Sequence, residues 1–323
     1  MRTRQRAHEV TCRLAALGSD IAQLRRHHRL ILADRRAGDL DFVDLHKVGD
    51  NRVAHRTALS QEMLRGGVGA LLVGQPAAAE VFIDKDAVRH VASRAVKLVP
   101  VIDIAGGAVV RAVRGEREQY RPIVSRLCEG HDPADIAIAL ANYCAADTLY
   151  VADLDAIRGG SLQRAALARI AAAVPGCTLW LDAGFHHIDD GERACAGKTE
   201  PVFGSESLAD SGELLLLRER TDALLSLDQR GGQPIDPAGC WQRDDCWPSR
   251  VIVMTLDRVG AGSGPDLVTL AAVRQRAGGR TLIGAGGVRN VDDLRAAQDA
   301  GAAAWLVASA LHDLSIPPMR QAR

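Results

Sequence analysis

The chain has 323 residues, with 40 Lys and Arg balancing 40 Asp and Glu, 47% hydrophobic residues and 3% aromatic ones. Zero formal charge speaks against a dedicated nucleic-acid or membrane-surface role, because no polyanion is attracted by the molecule as a whole. The aliphatic content is enough for a sizeable core and against wholesale disorder. Seven cysteines without a CxxC pair fit reduced thiols better than a disulfide framework. The closest two, Cys240 and Cys246, have no matching His or Cys cluster that would make a metal site. No apolar run approaches the roughly 20 residues needed to span a bilayer, and the N-terminus lacks a signal-like apolar core. These features predict a cytoplasmic protein without nucleic-acid or membrane partners.

Residues 1–96 differ from the remainder. They hold six of the ten histidines and sixteen Lys and Arg against eleven Asp and Glu. Arg4 to Arg36 has helical spacing of Ala, Leu and Ile, whereas Asp41 to Leu45 and Val68 to Gly74 read as strands. This part is expected to be an N-terminal extension or small accessory domain, or sequence upstream of the true start. It carries no recognisable chemistry.

From residue 97 to 323 short apolar strands alternate with helical segments. The predicted strands are Leu98 to Asp103, Thr148 to Asp153, Thr178 to Asp182, Pro201 to Gly204, Ala223 to Asp228, Val251 to Leu256, Thr281 to Ala285 and Ala304 to Val307. Helices are predicted at Pro133 to Cys144, Leu162 to Ala173, Glu206 to Arg218, Pro265 to Ala277 and Val291 to Ala300. Eight βα units in this length predict a (β/α)8 TIM barrel. A doubly wound open sheet is the alternative, but the GxGxxG phosphate loop it usually carries is absent.

Catalytic groups in such a barrel come from the carboxyl ends of strands, and four predicted strands end in Asp: Asp103, Asp153, Asp182 and Asp228. Any single one is more often a helix cap or loop hydrogen-bond acceptor. Asp103 and Asp228 close strands one and five, which oppose each other in an eight-stranded ring. A substrate across the mouth would then meet one carboxyl on each side, as acid–base catalysis needs. Thr255, near the end of strand six, is a candidate hydroxyl donor, although it also reads as an ordinary β-branched strand residue. Gly284-Ala285-Gly286-Gly287 after strand seven, ahead of a helix opening near Asn290, suits a phosphate. Gly204-Ser205 after strand four could hold a second anion on the opposite side. Asp153 and Asp182 are candidates for substrate contact, and His131, His186 and His187 read as exposed polar residues.

The run Pro100-Val101-Ile102-Asp103-Ile104, continuing through Gly106 to Val109-Val110-Arg111 and Gly115, resembles the opening of the histidine-biosynthesis barrels. Ser226-Leu227-Asp228-Gln229-Arg230-Gly231-Gly232, with Trp241 downstream, resembles their fifth strand and loop. The likeness extends from about Val99 to Leu311 and is closer to the ProFAR isomerase than to the related cyclase subunit. It implies an Amadori-type rearrangement of an aminoaldose phosphate to an aminoketose phosphate. Asp103 would then move the C2 proton as base, Asp228 would protonate the ring oxygen as acid, and Thr255 would support them. It further implies substrate or phosphate contact by Arg111, Gly204, Ser205, Gly286, Gly287, Ala308 and Ser309. The chemistry requires no metal or organic cofactor, and the partner is a small phosphorylated metabolite.

The chain departs from the family at its substrate-gripping loops. Asp182-Ala183-Gly184-Phe185-His186 stands where the family has Gly-Gly-Gly followed by Arg, placing a carboxylate near an expected phosphate site. Asp257 to Gly264 replaces the family's Arg-Asp-Gly-Thr, and Ala308 replaces a Gly. The pattern resembles the divergent group of methanogens and methylotrophs associated with C1-carrier cofactors of the methanopterin or methanofuran type, which implies a substrate outside histidine biosynthesis. The alternative is a catalytically silent barrel that binds a phosphorylated metabolite or serves as a subunit of a biosynthetic complex.

Overall fold

In the computed structural model, the described residues are 96–318 together with four strands within the first 95 positions. Those strands are β1 (Arg29–Ala33), β2 (Leu40–Asp44), β3 (Ala70–Val73) and β4 (Glu80–Asp84). They form a sheet in the order β2-β1-β4-β3, with β1 and β4 parallel and the outer pairings antiparallel. Two of the strands coincide with predictions at Asp41 to Leu45 and Val68 to Gly74. The helix predicted over Arg4 to Arg36 is a strand at residues 29–33, and the rest of that span lies outside the described residues. The chain divides into two compact units, Met1–Ala95 and Val96–Arg323.

The second unit is a closed parallel barrel. Its staves are β5 (Lys97–Ala105), β8 (Thr148–Asp153), β9 (Thr178–Asp182), β10 (Thr199–Gly204), β11 (Leu224–Arg230), β13 (Arg250–Thr255), β14 (Thr281–Ala285) and β15 (Ala304–Val307). Each pairs in parallel with the next, and β15 returns to β5 through Ala304 opposite Lys97 and Val307 opposite Pro100. Two short strands, β6 (Ala108–Arg111) and β7 (Arg121–Pro122), extend β5 as an antiparallel flap, and β12 (Gln233–Pro234) folds back on β11. All eight predicted barrel strands are present.

Strand alternation divides the core in two. Outward residues such as Ile102, Leu149, Leu181, Leu225 and Val253 pack on helices α1 (Pro133–Cys144), α3 (Arg164–Ala173), α5 (Ser211–Arg218), α6 (Leu267–Arg276) and α7 (Val291–Asp299). Inward residues such as Val99, Tyr150, Trp180, Leu224, Ile252 and Leu306 fill the barrel. Successive side chains of a strand face opposite ways, so parity decides which strand-end residues reach the mouth. Asp103, Asp182 and Asp228 share the inward parity of Val99, Trp180 and Leu224. Asp153 and Thr255 share the outward parity of Val151 and Val253.

The helix starts are set by side-chain caps on otherwise unpaired N–H groups. Asp132 caps α1 ahead of Pro133, Asp210 caps α5, Asp266 caps α6 and Asn290 caps α7. The α5 cap corrects a prediction: the helix begins at Ser211, not Glu206, and residues 206–208 form a turn bonded back to Gly204 O. Two further short helices, α2 (Leu154–Ile157) and α4 (Ile188–Ala194), follow β8 and β9, and α8 (Ser309–His312) follows β15. Among the described residues, no helix is long and apolar enough to cross a membrane.

Candidate active site

A cavity opens at the carboxyl ends of the barrel strands. Asp103, Asp182 and Asp228 line it from β5, β9 and β11, joined by Glu206 from the turn after β10. Arg117 and Tyr120 reach it from the segment between β6 and β7, and Tyr150 rises from the barrel interior. On the opposite side it is bounded by Gly286 and Gly287 after β14, Arg289, and Ala308 and Ser309 after β15.

Asp228 is 4% exposed and held from several directions. Ser226 Oγ donates to its Oδ1 at 2.7 Å, and the backbone N–H of Glu206 donates to Oδ2 at 3.2 Å. Ser205 Oγ accepts from the Asp228 N–H at 2.8 Å and donates to Ile235 O at 2.9 Å. Gly204 leaves space for the carboxyl: a Cβ there would lie 3.0 Å from Asp228 Oδ2. The loop beyond, turned by Gly231 and Gly232 at positive φ, closes over the strand end. Ile235 N–H and Trp241 Nε1 both donate to Asp228 O, at 2.9 and 3.2 Å. Burial and the nearby Glu206 carboxylate hold the Asp228 carboxyl well above the ordinary Asp range.

Asp103 differs from it. No hydrogen bond to its carboxyl is present among the described residues. Burial raises its pKa from 3.8 to about 7, opposed by the positive charge of Arg117 and aided by Asp182. Asp182 accepts from Tyr150 Oη at 2.7 Å and from the Gly184 N–H at 3.2 Å. Its pKa is also raised, chiefly by burial and then, among the charges, by Glu206. Arg117 is ion-paired with Glu206 inside the cavity. Two carboxyls on opposed strands of one mouth, one raised to about 7 and the other held well above the ordinary Asp range, can take up and deliver protons across a bound molecule.

Five residues with an expected role stand elsewhere. Thr255 is 3% exposed and faces outward; its hydroxyl donates to Asp266 Oδ2 at 3.0 Å and accepts from Gln229 Nε2 at 3.0 Å. It ties β11 and β13 to the start of α6. Asp153 is fully buried and caps α2, accepting from the N–H groups of Ala156 and Gln163 and from the Gln163 amide. Arg111 is engaged by Asp313 through a two-pronged pair, with Nη1 to Oδ1 at 2.9 Å. Ser205 is fully buried against Asp228, and Gly204 is packed beneath the same carboxyl. None of the five lines the cavity.

Gly286, Gly287, Ala308 and Ser309 do line it together. Gly287 has φ +83°, and a Cβ on it would fall 2.0 Å from Gly264 O, so only glycine lets the loops after β13 and β14 meet. His186 and His187 are exposed, directed to Ser207 O and Glu213.

The sequence reading missed Arg117, Glu206, Tyr120 and Tyr150. Arg117 lies in a charged stretch with no pattern to single it out, and Glu206 was absorbed into a helix that starts five residues later. Tyr150 had a usable signal, since it shares the inward parity of Ala152 on β8.

Similarity is found to an uncharacterized protein of Methanocaldococcus jannaschii, 26% identical over 223 residues, covering 67% of this chain and 93% of that protein. The isomerase of Pyrobaculum aerophilum named 1-(5-phosphoribosyl)-5-((5-phosphoribosylamino)methylideneamino) imidazole-4-carboxamide isomerase, or ProFAR isomerase, is 28% identical over 236 residues, covering 67% of this chain and 95% of its own length. The protein of the same name from Anaeromyxobacter sp. strain K is 26% identical over 235 residues, with 67% and 93% covered. A family model described as "Histidine biosynthesis protein" matches residues 97–317, the whole barrel, and the chain belongs to that family.

Proposed function

We propose that the barrel is an isomerase of a phosphorylated sugar or aminosugar, acting by an Amadori-type aldose–ketose rearrangement. The observation that carries this reading is the opposition of Asp103 and Asp228 in one cavity, with Asp103 free of hydrogen bonds among the described residues and Asp228 braced by Ser226 and the Glu206 N–H. In the proposed reaction, protonated Asp228 delivers its proton to the ring oxygen as the C1–O bond breaks and the amino nitrogen forms a double bond to C1. Ionised Asp103 then removes the C2 proton, and the electron pair moves through C1 to the nitrogen. The resulting enaminol tautomerises to the aminoketose. Each bond change is assisted by a proton transfer, so the two carboxyls supply the acid and the base that the sequence of steps needs. The Gly286-Gly287 turn after β14, at positive φ, and Ala308-Ser309 after β15 suit the substrate's phosphate through backbone approach.

A substrate in C1-carrier cofactor assembly, distinct from that of the histidine pathway, is supported by the run Asp182 to His186, which puts a cavity-lining carboxyl where the sequence pattern of the family has glycines followed by an Arg. The test is complementation of a histidine auxotroph lacking ProFAR isomerase, with wild type, Asp103→Asn and Asp228→Asn. Growth with wild type and loss with both variants would assign the histidine-pathway reaction. Failure of soluble wild type to complement would support the divergent substrate.

A further inference from the structure

The two poles of the cavity differ in their hydrogen-bonding state. At the pole after β14 and β15, backbone and Ser309 border the space, and Arg289 spends its guanidinium on Asp293 through Nε and Nη2, each at 2.8 Å. At the pole after β9 and β10, the donors suited to an anion already serve the protein's own carboxyls and backbone. The Gly184 N–H serves Asp182, the Glu206 N–H serves Asp228, and Ser205 N–H bonds Ser226 O. Gly184 is packed down so that a Cβ on it would lie 2.8 Å from Ile157 Cα. Arg117, the cation on this side, is paired with Glu206. Asp182 and Glu206 therefore stand at this pole with one committed guanidinium, flanked by Asp103 on β5 and Asp228 on β11, and Asp103 has no hydrogen-bond partner among the described residues.

A phosphate at this pole would find filled donors and like charge, whereas an ammonium group would find acceptors with unused lone pairs. We propose that the pole after β9 and β10 receives a protonated amine, so that the substrate carries one phosphate and, at its far end, one cationic group between Asp182 and Glu206. This rests on the reading of the site as one for a phosphorylated sugar or aminosugar and names the class of that substrate. It also gives the raised Asp182 carboxyl a use, since an approaching cation favours its ionised form.

The test is calorimetric titration of the full chain at neutral pH and low salt with inorganic phosphate, glucose 6-phosphate, glucosamine 6-phosphate and fructose 1,6-bisphosphate. Glucosamine 6-phosphate is expected to bind about tenfold more tightly than glucose 6-phosphate, and more tightly than the bisphosphate. That advantage is expected to fall to near unity in Asp182→Asn and in Glu206→Gln, with circular dichroism establishing that each variant is folded. Equal binding of the two hexose phosphates by wild type, or tightest binding of the bisphosphate, would overturn the amine site while leaving the isomerase reading in place. An advantage retained in both variants would overturn its placement. Absence of binding by every phosphorylated probe would overturn the phosphate reading and this inference together.

Discussion

The backbone N–H of Glu206 donates to Asp228 Oδ2 at 3.2 Å while the side chain of the same residue pairs with Arg117. One residue thus supplies Asp228 with a hydrogen bond and a like charge. The hydrogen bond favours the ionised form, and the charge, together with burial, favours the protonated one. The balance holds the carboxyl well above the ordinary Asp range. Glu206→Gln retains the N–H and removes the charge, so the Asp228 pKa falls. Because Asp228 acts in its protonated form, the alkaline limb of the pH–rate profile is expected to move to lower pH. A limb that stays in place would separate Glu206 from the acid.

Asp103 must be ionised to act as base, so activity is expected to rise with pH through about 7. Asp103→Asn is expected to lower kcat by about 100-fold or more, within the usual contribution of a general base. Its stability should move the other way. A carboxyl whose folded-state pKa is raised from 3.8 to about 7 contributes stability that is full below the unfolded value and lost as pH rises through the folded one. The asparagine variant escapes that loss. Denaturant melts at pH 8 should show it more stable than wild type by about 1–3 kcal/mol, with the gain vanishing on acidification.

Gly204→Ala tests whether space beneath Asp228 matters, because the added Cβ would meet Oδ2 at 3.0 Å. The carboxyl must shift by a few tenths of an ångström. The expected result is a loss of about 10- to 100-fold in kcat with a stability change of only about 1 kcal/mol. Unchanged kcat would show that Asp228 tolerates displacement.

Thr255→Val removes a hydroxyl that joins Gln229 to Asp266 on the outer side of the strand ends. Leaving buried polar groups short of a partner is expected to cost about 1–3 kcal/mol in denaturant melts, with kcat within about threefold of wild type. A loss of kcat above about 100-fold at normal stability would restore the catalytic hydroxyl expected from the sequence.

Much of the barrel could be read from the chain because its cause is local. Apolar runs of four to nine residues with alternating parity, separated by helical spacing, specify strand and helix, and all eight barrel strands were found within a few residues. Parity was also present in the sequence. Applied to the strand ends, it separates Asp103, Asp182 and Asp228 from Asp153 and Thr255, since one residue's shift along a strand reverses the face. Helix starts were legible through caps such as Asp210, and overlooking that cap hid Glu206 inside a predicted helix.

What the tertiary structure decided is where each polar group spends its hydrogen bonds. Arg111 carries the charge expected of a phosphate ligand, but Asp313, 202 positions away, engages it. Gly204 and Ser205 have the composition of an anion turn, yet the Asp228 carboxyl from the neighbouring strand fills the space beside Gly204, and the Ser205 hydroxyl accepts from the Asp228 N–H and donates to Ile235 O. Arg117 and Glu206, 89 positions apart, form an ion pair only because the flap after β5 folds over the turn after β10. Strand pattern depends on near neighbours and survives in the sequence. The charge balance of the cavity depends on contacts between loops closed by the barrel, and a residue's type alone does not say which distant partner has already claimed it.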